Sequence, residues 1–355
     1  MALVFCDGFD HYNFADITKK WSGYARSGAP IITGATSPLY ARPPGGMGLA
    51  IAPSDYWMGL YKSVPQVATF ICGFNILFQQ TTISGYPFWM VFDSSSGVAT
   101  TAQLYLTLDG ASHLRLGRGA STTIYTSSNT FSPNVWYHIE IKATINGSTG
   151  VYEVRVDGSS TGWIPAQTGA NTRGQSSNDW IDAVAISTGG VLNVLTYVPL
   201  WDDFYYLDTT GSVANSFIGS QKIITVFPTG TGNSAQFTGN YASNFANVNE
   251  TAGDGDATFN QSSTAGHIDL FDFDNVSTGT ISAIQHVIQA RQDAGTARTL
   301  RPKTRISSTN YNGTSVNLSG SHRFITEAVT LNPADSAAWE TADVNGAEFG
   351  YELVS

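Results

Sequence analysis

The chain has 355 residues, 42% hydrophobic and 12% aromatic, which is enough for two or three cores and too apolar for a disordered chain. Only 12% are charged, about half the usual share, and the net charge of −10 divides as −4 over residues 1–210 and −6 over 211–355. Neither half has a basic patch, which argues against nucleic acid as the main partner, and no apolar run approaches the roughly 20 residues of a membrane span.

In chain order the pattern is strand after strand. Leu3 to Phe5 opens a first strand and breaks at Asp7-Gly8, and the short apolar start has no basic leader, so export by the general secretory route is not expected. Tyr12 to Trp21 has room for one short helix. Ala68 to Phe78 is a continuous apolar run, the mark of a central strand buried on both faces. Phe88 to Phe92, Gln103 to Leu108 and His113 to Arg118 follow, separated by turn residues. Val135 to Gly158 reads as a β-hairpin: Trp136, His138, Glu140 and Lys142 alternate with Tyr137, Ile139, Ile141 and Ala143, Asn146-Gly147, which tolerates positive φ, and Gly150 supply the turn, and Asp157-Gly158 marks another tight turn. Such a hairpin must lay its apolar face on a second sheet, which implies a sandwich. Trp201 to Asp208 is expected to close this domain beside the first strand. Gln221 to Phe227 then opens a new apolar run, expected to start the strands of a second domain, residues 230–265 read as long Gly/Ser/Thr/Asn-rich loops holding short strands, and Ile281 to Ala290 fits both periods and is taken as a strand, with Arg291 to Arg298 as a hairpin turn.

The hairpin sequence resembles the concanavalin A-like, laminin-G-like jelly roll. The opening Cys6-Asp-Gly-Phe-Asp-His-Tyr12, the segment Pro199 to Gly211 and the C-terminal strings His267 to Phe273 and Asn332 to Leu353 together resemble bacteriophage virion structural proteins that join such a jelly roll to a second β-domain. The resemblance implies an all-β chain, with a jelly-roll sandwich over 1–210 and a C-terminal β-sandwich over 211–355. It further implies a virion protein assembled in the host cytoplasm, tail- or appendage-associated, with head decoration and a lectin-like carbohydrate-binding module as alternatives. The partners implied are other virion proteins, further copies of the chain and host surface glycans.

Catalytic chemistry is not expected. A jelly-roll glycosidase needs two carboxylates about 5 to 5.5 Å apart on one strand face, and the sequence offers only Glu348 with Glu352 and the run Asp269, Asp272, Asp274. Asp272 and Asp274 share a strand side and could approach calcium, but they, Asp202-Asp203 and Asp254/Asp256 read as solvent-facing. The six histidines lack metal-site spacing, so no catalytic, cofactor or metal site is assigned. Cys6 and Cys72 read as buried free thiols. Tyr56, Trp57, Tyr61, Tyr86, Trp89, Trp163, Trp180 and the Trp201 to Tyr206 cluster remain as aromatics for sugar stacking or packing, with Trp136 assigned to the core.

Overall fold

The computed structural model describes residues 3–13, 16–25, 31–34, 49–52, 57–81, 85, 87–94, 102–189, 199–293 and 295–355. It is an all-β, multi-sheet architecture consistent with tandem β-sandwich domains. Two compact units divide the chain: Met1–Asp10 with Trp21–Ile223, and His11–Lys20 with Ile224–Ser355. The boundary expected at Gly211 falls inside the first unit, because residues 218–223 bond to its sheet.

In the first unit an eight-stranded sheet runs, in spatial order, Ser159–Ala170, Gly150–Val156, Trp136–Thr144, Thr69–Leu77, Leu200–Leu207, Leu49–Ala52 and Ile31–Gly34, with Leu3–Asp7 also on Leu200–Leu207. A seven-stranded sheet runs Thr122–Thr130, His113–Arg118, Ala102–Leu108, Pro87–Phe92, Ile181–Gly189, Trp57–Val67 and Gly23–Ala25. Every pairing is antiparallel. Alternation along Thr69–Leu77 sends Phe70, Cys72 and Phe74 toward the second sheet. There the Phe70 and Trp89 rings lie 6.1 Å apart, Phe74 meets Phe88 edge-on at 6.5 Å, and Trp89 Nε1 donates to Cys72 Sγ at 3.3 Å. All of this strand but Thr69 is buried, as its unbroken apolar run requires. Each large side chain so buried contributes about 1.5–3 kcal/mol.

The hairpin forms, with Ile139 opposite Val156 through Thr144 opposite Val151. Its connection turns at Asn146-Gly147 by an Asx turn, in which Asn146 Oδ1 accepts from the N–H groups of Ser148 and Thr149, both at 2.9 Å. Positive φ falls at Asp157 (51°) and Gly158 (83°), the expected tight turn, which leads into Ser159–Ala170.

In the second unit a six-stranded sheet runs Pro228–Ala235, Ile268–Phe273, Glu348–Leu353, Thr299–Ile306 and Thr309–Asn312, with Val316–Asn317 also on Thr299–Ile306. Ile284–Ala290 pairs with Arg323–Val329, and Thr238–Gly239 with Asn260–Gln261. The short helix Ile17–Lys20 belongs here and packs on Arg323–Val329, with the rings of His11 and Tyr12 each 5.8 Å from Phe324. Two expectations are corrected. Residues 221–227 form no strand, since the backbone of Ile223 bonds to an Asp203 carboxylate and not to a ladder. The turn after Ala290 does not make a hairpin, because Gln292 N donates to Ser319 O and the chain crosses to a different partner strand. Among the described residues about a dozen apolar side chains are buried in this unit, against several dozen in the first, and no helix is long and apolar enough to cross a membrane.

Candidate functional site

The face of the eight-stranded sheet turned away from the seven-stranded one carries a cluster of polar side chains. Alternation along Trp136–Thr144 puts His138, Glu140 and Lys142 there, and register sets Glu140 beside Gly73 and Tyr205, and His138 beside Asn75 and Asp202. A bulge between Asp202 and Tyr205, with Asp203 at φ 51°, turns two consecutive carboxylates to one side. Gly73 is required here, because a Cβ would run into the ring of Tyr205.

Glu140 and Asp203 are committed to the backbone of the segment above them, and Asp202 to the side chain of its Lys222. Glu140 accepts from Ile218 N at 2.7 Å and Gly219 N at 3.1 Å, while Tyr205 Oη donates to Gly219 O at 3.1 Å and lies 3.3 Å from His138 Nε2. Asp203 accepts from Ile223 N at 2.7 Å and Asn75 Nδ2 at 3.1 Å, and Lys222 Nζ sits 3.4 Å from Asp202 and 3.5 Å from Asp203. The guanidinium of Arg155 lies over the Phe217 ring at 4.0 Å. Burial raises the Glu140 pKa above the ordinary carboxylate range, opposed by the Tyr205 hydroxyl, the two N–H groups and Arg155. Burial, then the neighbouring Glu140 charge, raises Tyr205. The arrangement fastens residues 217–223 to the sheet and leaves Glu140, Asp202 and Asp203 buried and bonded.

Asp202 and Asp203, expected at the surface, are fully buried, because the bulge faces them toward donors. Glu140 and Asn75 were not singled out by sequence; the available signal was a lone glutamate between Ile139 and Ile141. Asp272 and Asp274 are exposed, as are Asp254 and Asp256, the last paired with Arg291 and His322 at 3.0 Å. Among the described residues no cluster of three or more His, Cys, Asp or Glu could hold a metal ion. Glu348 and Glu352 are bound to Arg305 and to Arg301 with Lys303, respectively. Of the aromatics, Trp89, Trp163, Trp201, Tyr205 and Tyr206 are buried, Tyr61 packs against a core cluster and Trp180 is half-buried. Tyr56, Tyr86 and the Trp57 side chain lie outside the described residues. Trp136, expected in the core, is half-buried, since it falls on the polar face of its strand.

A second surface is open. The edge strand Thr122–Thr130 is largely exposed, and neither it nor Ser159–Ala170 contains a charged residue. The two are joined by Ser128 Oγ donating to Gly162 O at 3.2 Å and Asn129 Nδ2 to Thr161 O at 3.3 Å. Together they make an uncharged ledge of hydroxyl and amide groups.

These features define a multi-sheet, all-β protein of tandem-sandwich type. No protein-family model matches the chain, and no curated protein matches it. Among solved structures, a cellulose-induced protein, Cip1, is similar over 61% of this chain and 100% of its own at 15% identity and a TM-score of 0.42. Alginate lyase Aly36B is similar over 56% and 91% at 10% identity and a TM-score of 0.35. A Trypanosoma rangeli sialidase bound to sialic acid is similar over 52% of this chain at 14% identity and a TM-score of 0.33; the match spans 30% of its own length.

Proposed function

We propose that the chain is a non-catalytic, carbohydrate-binding β-sandwich protein. The observation that carries this reading is the uncharged ledge of Thr122–Thr130 and Ser159–Ala170, whose Thr122, Thr123, Thr126, Ser128, Asn129 and Thr161 are exposed. Hydroxyl and amide groups donate and accept without the desolvation cost of a charge, which matches the hydroxyls of a sugar. The committed state of Glu140, Asp202 and Asp203 supports binding over hydrolysis. A glycan array probed with the full chain tests the reading, with Asn129→Ala and Thr161→Ala expected to weaken the glycans bound at least severalfold. No binding to any glycan, or binding indifferent to both substitutions, refutes it.

The same ledge favours a second, narrower role as a structural part of a larger particle, the bacteriophage virion implied by the sequence resemblance. Exposed edge strands are ordinarily guarded by charges, and this one is not. The sparse core of the second unit likewise suits a protein completed by neighbours. Immunogold labelling of purified particles separates tail from head, and absence of the chain from every particle fraction ends this reading.

A further inference from the structure

On the six-stranded sheet of the second unit, Lys303 lies directly opposite Asn312 on one side and Gly350 on the other. Its ammonium is buried, 2.6 Å from Asn312 Oδ1 and in contact with Glu352 Oε2. Glu352 is held by Arg301 at 2.9 Å. An amine, a side-chain amide and a carboxylate therefore converge, and the amide carbon lies one bond beyond an oxygen already touching the amine. The competing route for an Asn-Gly pair, attack by the following backbone nitrogen, is opposed, because Gly313 N is engaged with Pro302 O at 2.8 Å. The neighbouring rung, Arg305 Nη1 on Asn310 Oδ1 at 3.2 Å, is alike in layout, but a guanidinium is no nucleophile.

We propose that Lys303 and Asn312 join in an autocatalytic isopeptide bond. Glu352 takes a proton from the Lys303 ammonium, and the freed Nζ attacks Asn312 Cγ. Glu352 then returns that proton to Nδ2, the C–N bond to Nδ2 breaks, and ammonia leaves with the second Nζ proton as ammonium. One amide is exchanged for another, charge is conserved, and no oxidant or co-reactant is needed. Holding the reacting atoms together is the main catalytic contribution. The product ties the edge strand Thr309–Asn312 to the sheet and prevents it from peeling away.

Intact-mass analysis of the full chain is expected to show about 17 Da less than the sequence mass, one ammonia. Trypsin is expected to spare the bond after Lys303 and to release peptides 299–305 and 306–323 as one branched species. Asn312→Ala should restore the full mass, and Glu352→Gln should leave most of the chain unlinked. The full sequence mass in the wild-type chain, with cleavage after Lys303, overturns the proposal and leaves a buried ion pair. A deficit confined to an unbranched peptide 306–323 also overturns it, since that is a succinimide at Asn312. Linking in Glu352→Gln at the wild-type rate overturns the role of Glu352.

Discussion

Replacing Glu140 by Gln tests whether its carboxylate fastens residues 217–223. The carboxylate accepts two backbone N–H groups, from Ile218 at 2.7 Å and Gly219 at 3.1 Å, while the amide keeps one acceptor and turns an NH₂ toward the other donor. Losing one hydrogen bond to a charged group and stranding its donor costs about 2–4 kcal/mol. Removing a buried charge returns part of this, so the net loss is about 1–3 kcal/mol. For a unit of this size that lowers Tm by about 3–10 °C. The pH dependence has a definite sign. Because burial raises the folded pKa of Glu140 above its unfolded value, its contribution is fully present below the unfolded pKa and is lost as pH rises through the folded pKa. The deficit of Glu140→Gln relative to wild type should therefore be larger near pH 4.5 than at pH 8. Thermal denaturation at both values, with trypsin cleavage after Lys222 as the local probe, measures it. A Tm within about 1 °C of wild type together with unchanged cleavage, or a deficit that grows with pH, refutes the reasoning.

Three further outcomes follow from the same geometry. Cys6 and Cys72 sit on strands separated by Leu200–Leu207, in register with Tyr205 and Tyr206 respectively, and so on opposite faces; two strand spacings of about 4.8 Å exceed the reach of a disulfide. Intact mass should be the same with and without reductant, and Cys72, whose thiol burial pushes up, should alkylate only on unfolding. Gly73→Ala should destabilise the first unit by about 1–3 kcal/mol through overpacking against Tyr205, and wild-type stability in urea would show that the ring can move aside. Burial lowers His286 to a pKa of about 4, so the second unit should lose up to about 3 kcal/mol as pH falls from 6.5 toward 4. His286→Gln should flatten that slope, and an unchanged slope would place the titration elsewhere.

The strands were legible because burial on one or two faces writes itself as alternation or as an unbroken run. Thr69–Leu77, the hairpin of Trp136–Thr144 with Gly150–Val156, and the return of Leu200–Leu207 beside Leu3–Asp7 all follow the pattern read from sequence. The polar cluster was not legible. A bulge reverses the side of every later residue, so Asp203 could not be assigned a face by counting, and Asp202-Asp203 read as surface. Nor could local pattern show that a strandless stretch, 217–223, would satisfy its backbone on side-chain carboxylates. Pairing between Ile284–Ala290 and Arg323–Val329 was hidden likewise, since the intervening chain contains a nearer candidate strand. The aromatics were ambiguous because a half-apolar strand looks the same whichever side faces water.

The assignment of residues 11–20 to the second unit gives the protein an order of events. Helix Ile17–Lys20 leaves the ribosome about 300 residues before Arg323–Val329, on which it packs. At about 5–20 residues per second, the wait between them lasts some tens of seconds. Through that interval the helix, whose Ile17 ends fully buried, waits without the strand it packs on. The stretch that carries this helix is thus a held-open place, filled only once Arg323–Val329 has been made.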